Sequence, residues 1–206
     1  MTIHLTEEFI TEKLRTAYRA GMISSEGGFT GVNDGVSLKC AAVLIPLAWW
    51  QDEWQIVLTR RTDTVEHHKG QVSFPGGGCE VNETTPEDTA VREAGEEIGL
   101  KPTDIRILGR MNAVITITHY RITPVVGIMP WPYPVRLEPA EVVRVFTIPL
   151  LWLAKHQNWE ERPFALDGAA LPFPVVTYHT YDDEILWGAS ARMTLNFLGV
   201  LGLINT

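Results

Sequence analysis

The sequence contains few of the features that would assign it to a specialised class of protein. Cys40 and Cys79 are the only cysteines among its 206 residues. One pair is too few for a disulfide framework, and no Cys-x-x-Cys pair occurs, which argues against a zinc site. Charged residues make up only 20% of the chain and form no long run, so extensive disorder is not expected.

Excess positive charge and long apolar runs are also missing. The formal net charge is -8, which argues against a general binder of nucleic acid or of anionic membranes. A small anionic substrate stays compatible with this charge if a metal ion supplies the positive charge. No apolar run reaches the length needed to span a membrane, and the start MTIHLTEEFITEKLR has no apolar signal region. We therefore expect a cytoplasmic protein without nucleic-acid or membrane partners.

Hydrophobic residues, 45% of the chain, follow helix and strand patterns in turn. Residues 6–21 show helical spacing, and apolar runs of strand length begin at Lys39. No internal repeat and no linker is evident. The pattern predicts one α/β domain, with residues 1–38 as an N-terminal helix and loop packed on a core of residues 39–206. Whether the terminal helices also pack on a partner chain stays open, and a homodimer is among the outcomes.

The signals for one helix are particularly clear. Thr85 suits the N-cap, Pro86 the first helical position, and Gly99 the stop. These residues predict a helix over about 86–98. At roughly 100° per residue, its core-facing stripe consists of Val91, Ala94 and Ile98.

This helix carries three carboxylates on its other side, directly after a run of three glycines. Glu93, Glu96 and Glu97 repel one another, and such pairs cost a helix roughly 0.2–0.5 kcal/mol each. Arg92 relieves part of this repulsion. Solvated surface acids are the simple alternative. However, Mg²⁺ and Mn²⁺ prefer oxygen ligands, often carboxylates with substrate phosphate, and glycines allow the backbone to approach both. The combination indicates a divalent-metal site.

The nine residues from Arg92 to Leu100 resemble the second half of the Nudix box, G-x5-E-x7-R-E-U-x-E-E-x-G-U, in which U is a bulky apolar residue. They match throughout, with Ala94 as a small U. The front half departs from the pattern. Counting from Gly77 places Glu83 at the first glutamate but leaves eight residues before the arginine rather than seven. The role of Glu83 is therefore open.

A second resemblance lies upstream, where VLTRRTDTVEHHKGQVSFPGG is similar to the signature of the coenzyme A pyrophosphatase branch, L-L-T-x-R-[SA]-x3-R-x3-G-x3-F-P-G-G. Glu66 stands where that signature has arginine, which reverses a charge. The likeness continues through later strands and covers most of residues 39–198. The matching positions are Leu58, Thr59, Arg61, Gly70, Phe74, Pro75, Gly76 and Gly77.

The resemblance implies a Nudix-type α/β/α sandwich with a mixed β-sheet, here with an extra N-terminal helix and a C-terminal helix. It also implies hydrolysis of a nucleoside diphosphate derivative with Mg²⁺ or Mn²⁺ as cofactor. Matching residue by residue makes Glu93 and Glu97 metal ligands and Glu96 a third ligand with a catalytic role. Arg92 holds these glutamates in place by ion pairing.

Substrate-binding and proton-transfer residues are also implied. Arg60 and Arg61 could meet phosphates bidentately, the alternative being ion pairs at a strand end. The backbone of Gly76 and Gly77 would lie near metal and phosphate. In many family members the general base is a late-loop glutamate, and the candidate is Glu141, either as base or as extra metal ligand. Glu138 is the fallback, and a solvated loop acid is the alternative for Glu141.

Three functions follow from these resemblances. The first is hydrolysis of coenzyme A, or of its acyl and oxidised forms, to adenosine 3′,5′-bisphosphate and a 4′-phosphopantetheine species. The second keeps the chemistry but takes ADP-ribose, NADH or another nucleotide, which the charge reversal at Glu66 keeps open. The third is a non-catalytic nucleotide sensor, against which the complete set of glutamates argues. In each case the expected partner is a small nucleotide.

Overall fold

The fold is built around an eight-stranded mixed β-sheet. The computed structural model describes residues 5–20, 37–62, 70–163, 165–166, 169–170 and 174–205, with the backbone alone at 19–20, 165–166 and 169–170. The helices are α1 Glu7–Ala20, α2 Pro86–Ile98, α3 Leu150–Leu153 and α4 Gly188–Val200. The strands are β1 Lys39–Trp50, β2 Glu53–Arg61, β3 Val72–Ser73, β4 Gly76–Gly78, β5 Arg106–Arg110, β6 Val114–Ile115, β7 Tyr120–Ile128, β8 Val142–Pro149, β9 Trp159–Arg162, β10 Ala165–Leu166, β11 Ala169–Ala170 and β12 Val175–Tyr178.

The strand β1 lies at the centre of this sheet. The order is β3-β2-β1-β7-β5, and β4, β6 and β8 pair with β1, β7 and β2. Only the β1–β7 pairing is parallel among the described strand pairs of this sheet. The eight consecutive buried residues of β1 are typical of a strand covered on both faces. Gln51 and Asp52, both with positive φ, close the β1–β2 hairpin with the tight turn that such loops favour.

Helices cover both faces of the sheet, which confirms the predicted α/β sandwich. One apolar cluster joins α2 to the sheet through Ala90, Ala94 and Ile98. The other cluster contains Ile10 and Leu14 of α1, together with buried residues of α4. Among the described residues, no helix has the length and apolarity to cross a membrane.

Three local expectations need correction. Ala90 takes the place predicted for Val91 on the buried stripe of α2, and Val91 is half-buried. Glu97 is buried rather than on a solvent-facing side. Near the C-terminus, the strand-like runs FPVVTYHTY and DEILWG predict a hairpin, but their described residues are joined by isolated bridges, because β12 pairs with β9. The segment around Glu66 and most of the loop before β1 lie outside the described residues.

Cys40 and Cys79 form a disulfide, which the sequence did not indicate. The two residues are 39 apart in the chain. Antiparallel pairing of β4 with β1, with Gly78 opposite Ala41, makes them cross-strand neighbours with a Cα–Cα distance of 5.4 Å. The bond therefore fixes the end of the glycine strand to the central strand of the sheet.

Replacing both cysteines by serine is expected to lower the free energy of unfolding by about 4 kcal/mol, because a loop of this length is no longer closed in the unfolded state. Urea denaturation of the oxidised protein, the reduced protein and the double variant measures the effect. The reduced wild type should match the variant. Equal midpoints for oxidised and reduced protein would contradict the prediction.

Candidate active site

The glycine strand β4 lies directly against the carboxylates of α2. The backbone N–H of Gly76 faces the Glu97 carboxylate closely enough to lower its pKa. A Cβ atom at Gly77 would stand 2.4 Å from Oε1 of Glu93, and one at Gly76 would stand 2.5 Å from the Ala42 carbonyl oxygen. Neither position tolerates a side chain without a shift. The glycines of β4 and the glutamates of α2 therefore lie side by side, and their joint role as a site stays a prediction.

Glu97 is the most buried acid of the site, with 3% of its side chain exposed. Its Oε1 lies 3.6 Å from Nη1 of Arg61. Burial raises the pKa of Glu97 to about 8, with further increases from Glu141 and Glu93, while Arg61 opposes the shift. Its Oε2 is buried and has no hydrogen-bond partner among the described residues. Such an atom is costly unless a ligand satisfies it.

Arg92 draws the remaining acids of the helix together. Its guanidinium lies 2.9 Å from Glu93 and 2.9 Å from Glu96, and it donates to the carbonyl oxygen of Gly78. Glu93 is nearly buried, and burial raises its pKa despite the arginine. Glu96 is 59% exposed, and its carboxylate forms an ion pair with Arg92. Of the three predicted ligands, Glu93 and Glu97 thus lie in the buried part of the site and Glu96 at its rim.

Glu83, whose role the sequence left open, is the anchor of Arg92. It is 8% exposed and lies 2.7 Å from Nε of the arginine. Its other oxygen accepts from the Thr89 hydroxyl and from the backbone N–H of Glu80. These hydrogen bonds, that from Arg92 first, lower its pKa to about 2. The counting mismatch concealed this role, because the extra residue lies between Glu83 and Arg92 and the pattern alone does not show that the two side chains still meet.

Glu83→Gln is expected to destabilise the fold in a pH-dependent way. The pKa of Glu83 falls from 4.5 to about 2 on folding, so its contribution is complete above about pH 4.5 and is lost as the pH falls towards 2. The loss should be about 3 kcal/mol at pH 7 and about half of that at pH 3. Denaturant unfolding at both pH values measures it, with exposed Glu80→Gln as the control. A pH-independent loss would contradict the assignment.

Arg61 connects α2 to the loop before β8. Its Nη2 lies 3.9 Å from Oε2 of Glu141, and the Thr62 N–H donates to the Glu141 carbonyl oxygen. The backbone N–H of Glu138 donates to the Glu97 carbonyl oxygen, so this loop runs beside the end of the helix. Glu141 is 46% exposed, which leaves its carboxylate accessible to water.

Arg60 has a different environment from Arg61. It forms an ion pair of 3.6 Å with the buried Glu184, which also pairs with Arg144. Successive strand residues point to opposite faces of a sheet, and a register shift lies between the two arginines. This ion pair is the alternative that the sequence allowed, and a phosphate-binding role for Arg60 stays a prediction.

The donors of the site fit a hard divalent cation. Among the described ranges, no three acidic, histidine or cysteine side chains converge closely enough to hold a metal by themselves. Mg²⁺ needs no such cage, because it commonly binds one or two carboxylates and keeps water and substrate phosphate as further ligands. Glu93 and Glu97 supply two carboxylates, and Oε2 of Glu97 is an oxygen without a donor among the described residues.

Comparisons with known proteins identify the family of this chain. The NUDIX domain model matches residues 39–167. The uncharacterized Nudix hydrolase NudL of Photorhabdus laumondii is 30% identical over 153 residues, which is 74% of this chain and 80% of that protein. The Escherichia coli protein of that name is 40% identical over 110 residues, 53% of this chain and 57% of that protein.

A solved structure shows the same fold. The MutT/nudix family protein from Enterococcus faecalis superposes with a TM-score of 0.50 at 15% identity, over 98% of this chain and 81% of that one. The family model covers more than half of this chain, and the Photorhabdus relative matches across most of both proteins. The chain therefore belongs to the NUDIX domain family and is a Nudix hydrolase.

Proposed function

We propose that this enzyme hydrolyses the pyrophosphate bond of coenzyme A or of its derivatives. The products are adenosine 3′,5′-bisphosphate and a 4′-phosphopantetheine species. One observation carries the proposal: Arg61, from the upstream coenzyme A signature, contacts both Glu97 and Glu141. The same signature ends at Gly76 and Gly77, which lie against Glu97 and Glu93. The residues that resemble the Nudix box and those that resemble the coenzyme A signature thus lie in one group of side chains.

Each residue of the site has a separate role in this proposed reaction. Glu93 and Glu97 would hold Mg²⁺ or Mn²⁺, which would offset phosphate charge and lower the pKa of water. Arg61 offers a guanidinium to the pyrophosphate beside these carboxylates. Arg92, anchored by Glu83, orients Glu93, and Glu96 shares this arginine. The backbone of Gly76 and Gly77 allows the diphosphate to approach closely.

Proton transfer is assigned to Glu141. Its carboxylate accepts a proton from water as the water oxygen attacks one phosphorus atom, and the P–O bond to the other phosphate breaks. The exposed position of this carboxylate, beside Arg61, supports the role. The role of Glu141 as base is further supported by the Glu138–Glu141 turn, which a backbone hydrogen bond joins to α2. Glu138 lies at the start of this turn and stays the alternative base.

Two other functions remain as alternatives. The first is hydrolysis of ADP-ribose, NADH or another nucleoside diphosphate derivative with the same residues. The second is nucleotide binding without cleavage, against which the buried pair Glu93 and Glu97 argues. The cytoplasmic location, the small-nucleotide partner and the open question of a homodimer stay predictions.

A substrate panel tests the proposal. Coenzyme A, acetyl-coenzyme A, ADP-ribose and NADH are each incubated with Mg²⁺ or Mn²⁺, and the products are identified by mass. We expect kcat/KM for coenzyme A to exceed that for ADP-ribose and NADH at least about tenfold, with adenosine 3′,5′-bisphosphate as product. Preferential cleavage of ADP-ribose or NADH supports the second function, and cleavage of no compound supports the third.

A further inference from the structure

A groove of about 780 Å³ lies beside the C-terminal end of α2. Glu96 and Glu138 line one part of it. The groove therefore begins next to the carboxylates assigned to the reaction. Its volume is within the range of small-molecule sites. An apolar wall is formed by Pro130, Pro132, Pro134 and Leu137.

Two cations in this groove lack partners. Lys101 and Arg136 both line it and are exposed. Within the described part of the chain, neither the Lys101 ammonium nor the Arg136 guanidinium has an ion pair or hydrogen bond. Two long cationic side chains on one groove, both available to a ligand, are the donors that an anionic group requires.

The acids of the groove, in contrast, are engaged. Glu96 pairs with Arg92. Asp104 accepts a hydrogen bond of 2.8 Å from the Tyr133 hydroxyl. Glu138 accepts from the backbone N–H of Ala140. The three acids keep their negative charge, so the case for an anion depends on Lys101 and Arg136, whose cationic groups have no partner among the described residues.

The backbone fixes both cations on the groove walls. The Arg136 N–H donates to the Ile98 carbonyl oxygen, with an N···O distance of 2.9 Å. Gly99, with a φ of +70°, leaves room for this contact, because a Cβ there would stand 2.8 Å from the Arg136 Cβ. The Lys101 N–H donates to the Tyr133 hydroxyl oxygen. The two side chains thus start from backbone positions that hydrogen bonds define, on two segments that both line the groove.

We propose that this groove binds a phosphate monoester of the substrate, with Lys101 and Arg136 as the phosphate-binding residues. The inference rests on the proposed function, because coenzyme A carries a 3′-phosphate on its adenosine in addition to the pyrophosphate. ADP-ribose and NADH carry no such group. Lys101 and Arg136 are then the residues that distinguish coenzyme A from other nucleoside diphosphate derivatives.

Calorimetric binding of adenosine 3′,5′-bisphosphate and of AMP tests this site without catalysis. The wild type should bind the bisphosphate at least about tenfold more tightly, the size of one charge-assisted contact. Lys101→Ala with Arg136→Ala should remove the difference and leave AMP binding unchanged, whereas Arg136→Lys alone should retain part of it. Lys155→Ala, an exposed cation outside the groove, is the matched control. Equal wild-type affinities for the two ligands overturn the inference.

Kinetics separates this inference from the proposed function. Wild-type kcat/KM should be at least about tenfold higher for coenzyme A than for 3′-dephospho-coenzyme A, and the double variant should treat both alike. Equal hydrolysis of both compounds by the wild type overturns the groove assignment and leaves the proposed function intact. Selective binding of the bisphosphate without hydrolysis of coenzyme A supports the groove and overturns the proposed function.

Discussion

Replacing Glu97 by glutamine is expected to lower kcat/KM at least about 10³-fold and to weaken Mn²⁺ binding about 10- to 100-fold. Glu97 is the buried carboxylate of the site, and its Oε2 has no protein partner among the described residues. Glutamine keeps the size of the side chain and removes the charge that a cation requires. Steady-state kinetics with the active substrate of the panel and Mn²⁺ titration followed by electron paramagnetic resonance measure the two effects.

The fold of this variant should remain intact. Burial raises the pKa of Glu97 to about 8, so the metal-free protein already accommodates a neutral side chain there near pH 7. The Tm of the metal-free variant should therefore equal or exceed that of the wild type. Glu87→Gln, on the same helix and paired with Arg110, is the matched control and should retain activity. Full activity of Glu97→Gln would remove Glu97 from the site.

The second large effect is expected at Glu141. Glu141→Gln should reduce kcat about 10²- to 10⁴-fold, the range of general-base catalysis, and leave Mn²⁺ affinity within about threefold of the wild type. The Glu138–Glu141 turn is held by backbone hydrogen bonds, which the substitution leaves in place. Single-turnover kinetics and Mn²⁺ titration separate the chemical step from metal binding.

Glu138→Gln supplies the comparison for this experiment. If Glu141 is the base, Glu138→Gln should keep kcat within about threefold of the wild type. A collapse of kcat at Glu138 with near-normal turnover at Glu141 would transfer the role to Glu138. Loss of Mn²⁺ binding together with turnover in Glu141→Gln would instead make Glu141 a metal ligand.

Local patterns in the sequence were sufficient for the helix of the site. Thr85 caps α2, its side chain accepting from Asp88, and Gly99 ends the helix in the left-handed conformation, both as predicted. These features depend on hydrogen bonds between residues within a few positions of one another. The run of glycines is also visible in the sequence, but its reason is tertiary, because a side chain at Gly77 would collide with Glu93 of α2.

Features that depend on contacts between residues far apart in the chain could not be predicted from local sequence patterns. Helical periodicity placed Glu97 with Glu93 and Glu96, but packing of α2 on the sheet buries it beside Arg61. The sequence allowed a phosphate contact for both Arg60 and Arg61, whereas the structure places Arg61 beside Glu97 and Arg60 beside Glu184. The disulfide likewise results from the register between β4 and β1.

The sequence by itself thus determined the family resemblance, the capped helix and the acidic and glycine residues of the site. The tertiary structure decided which acids are buried, which arginine faces them, that Glu83 anchors Arg92, and that Lys101 and Arg136 share a groove. The physical reason is the range of the interactions. Caps and periodicity act along the chain over a few residues, whereas burial, ion pairing and strand register depend on segments that only folding brings together.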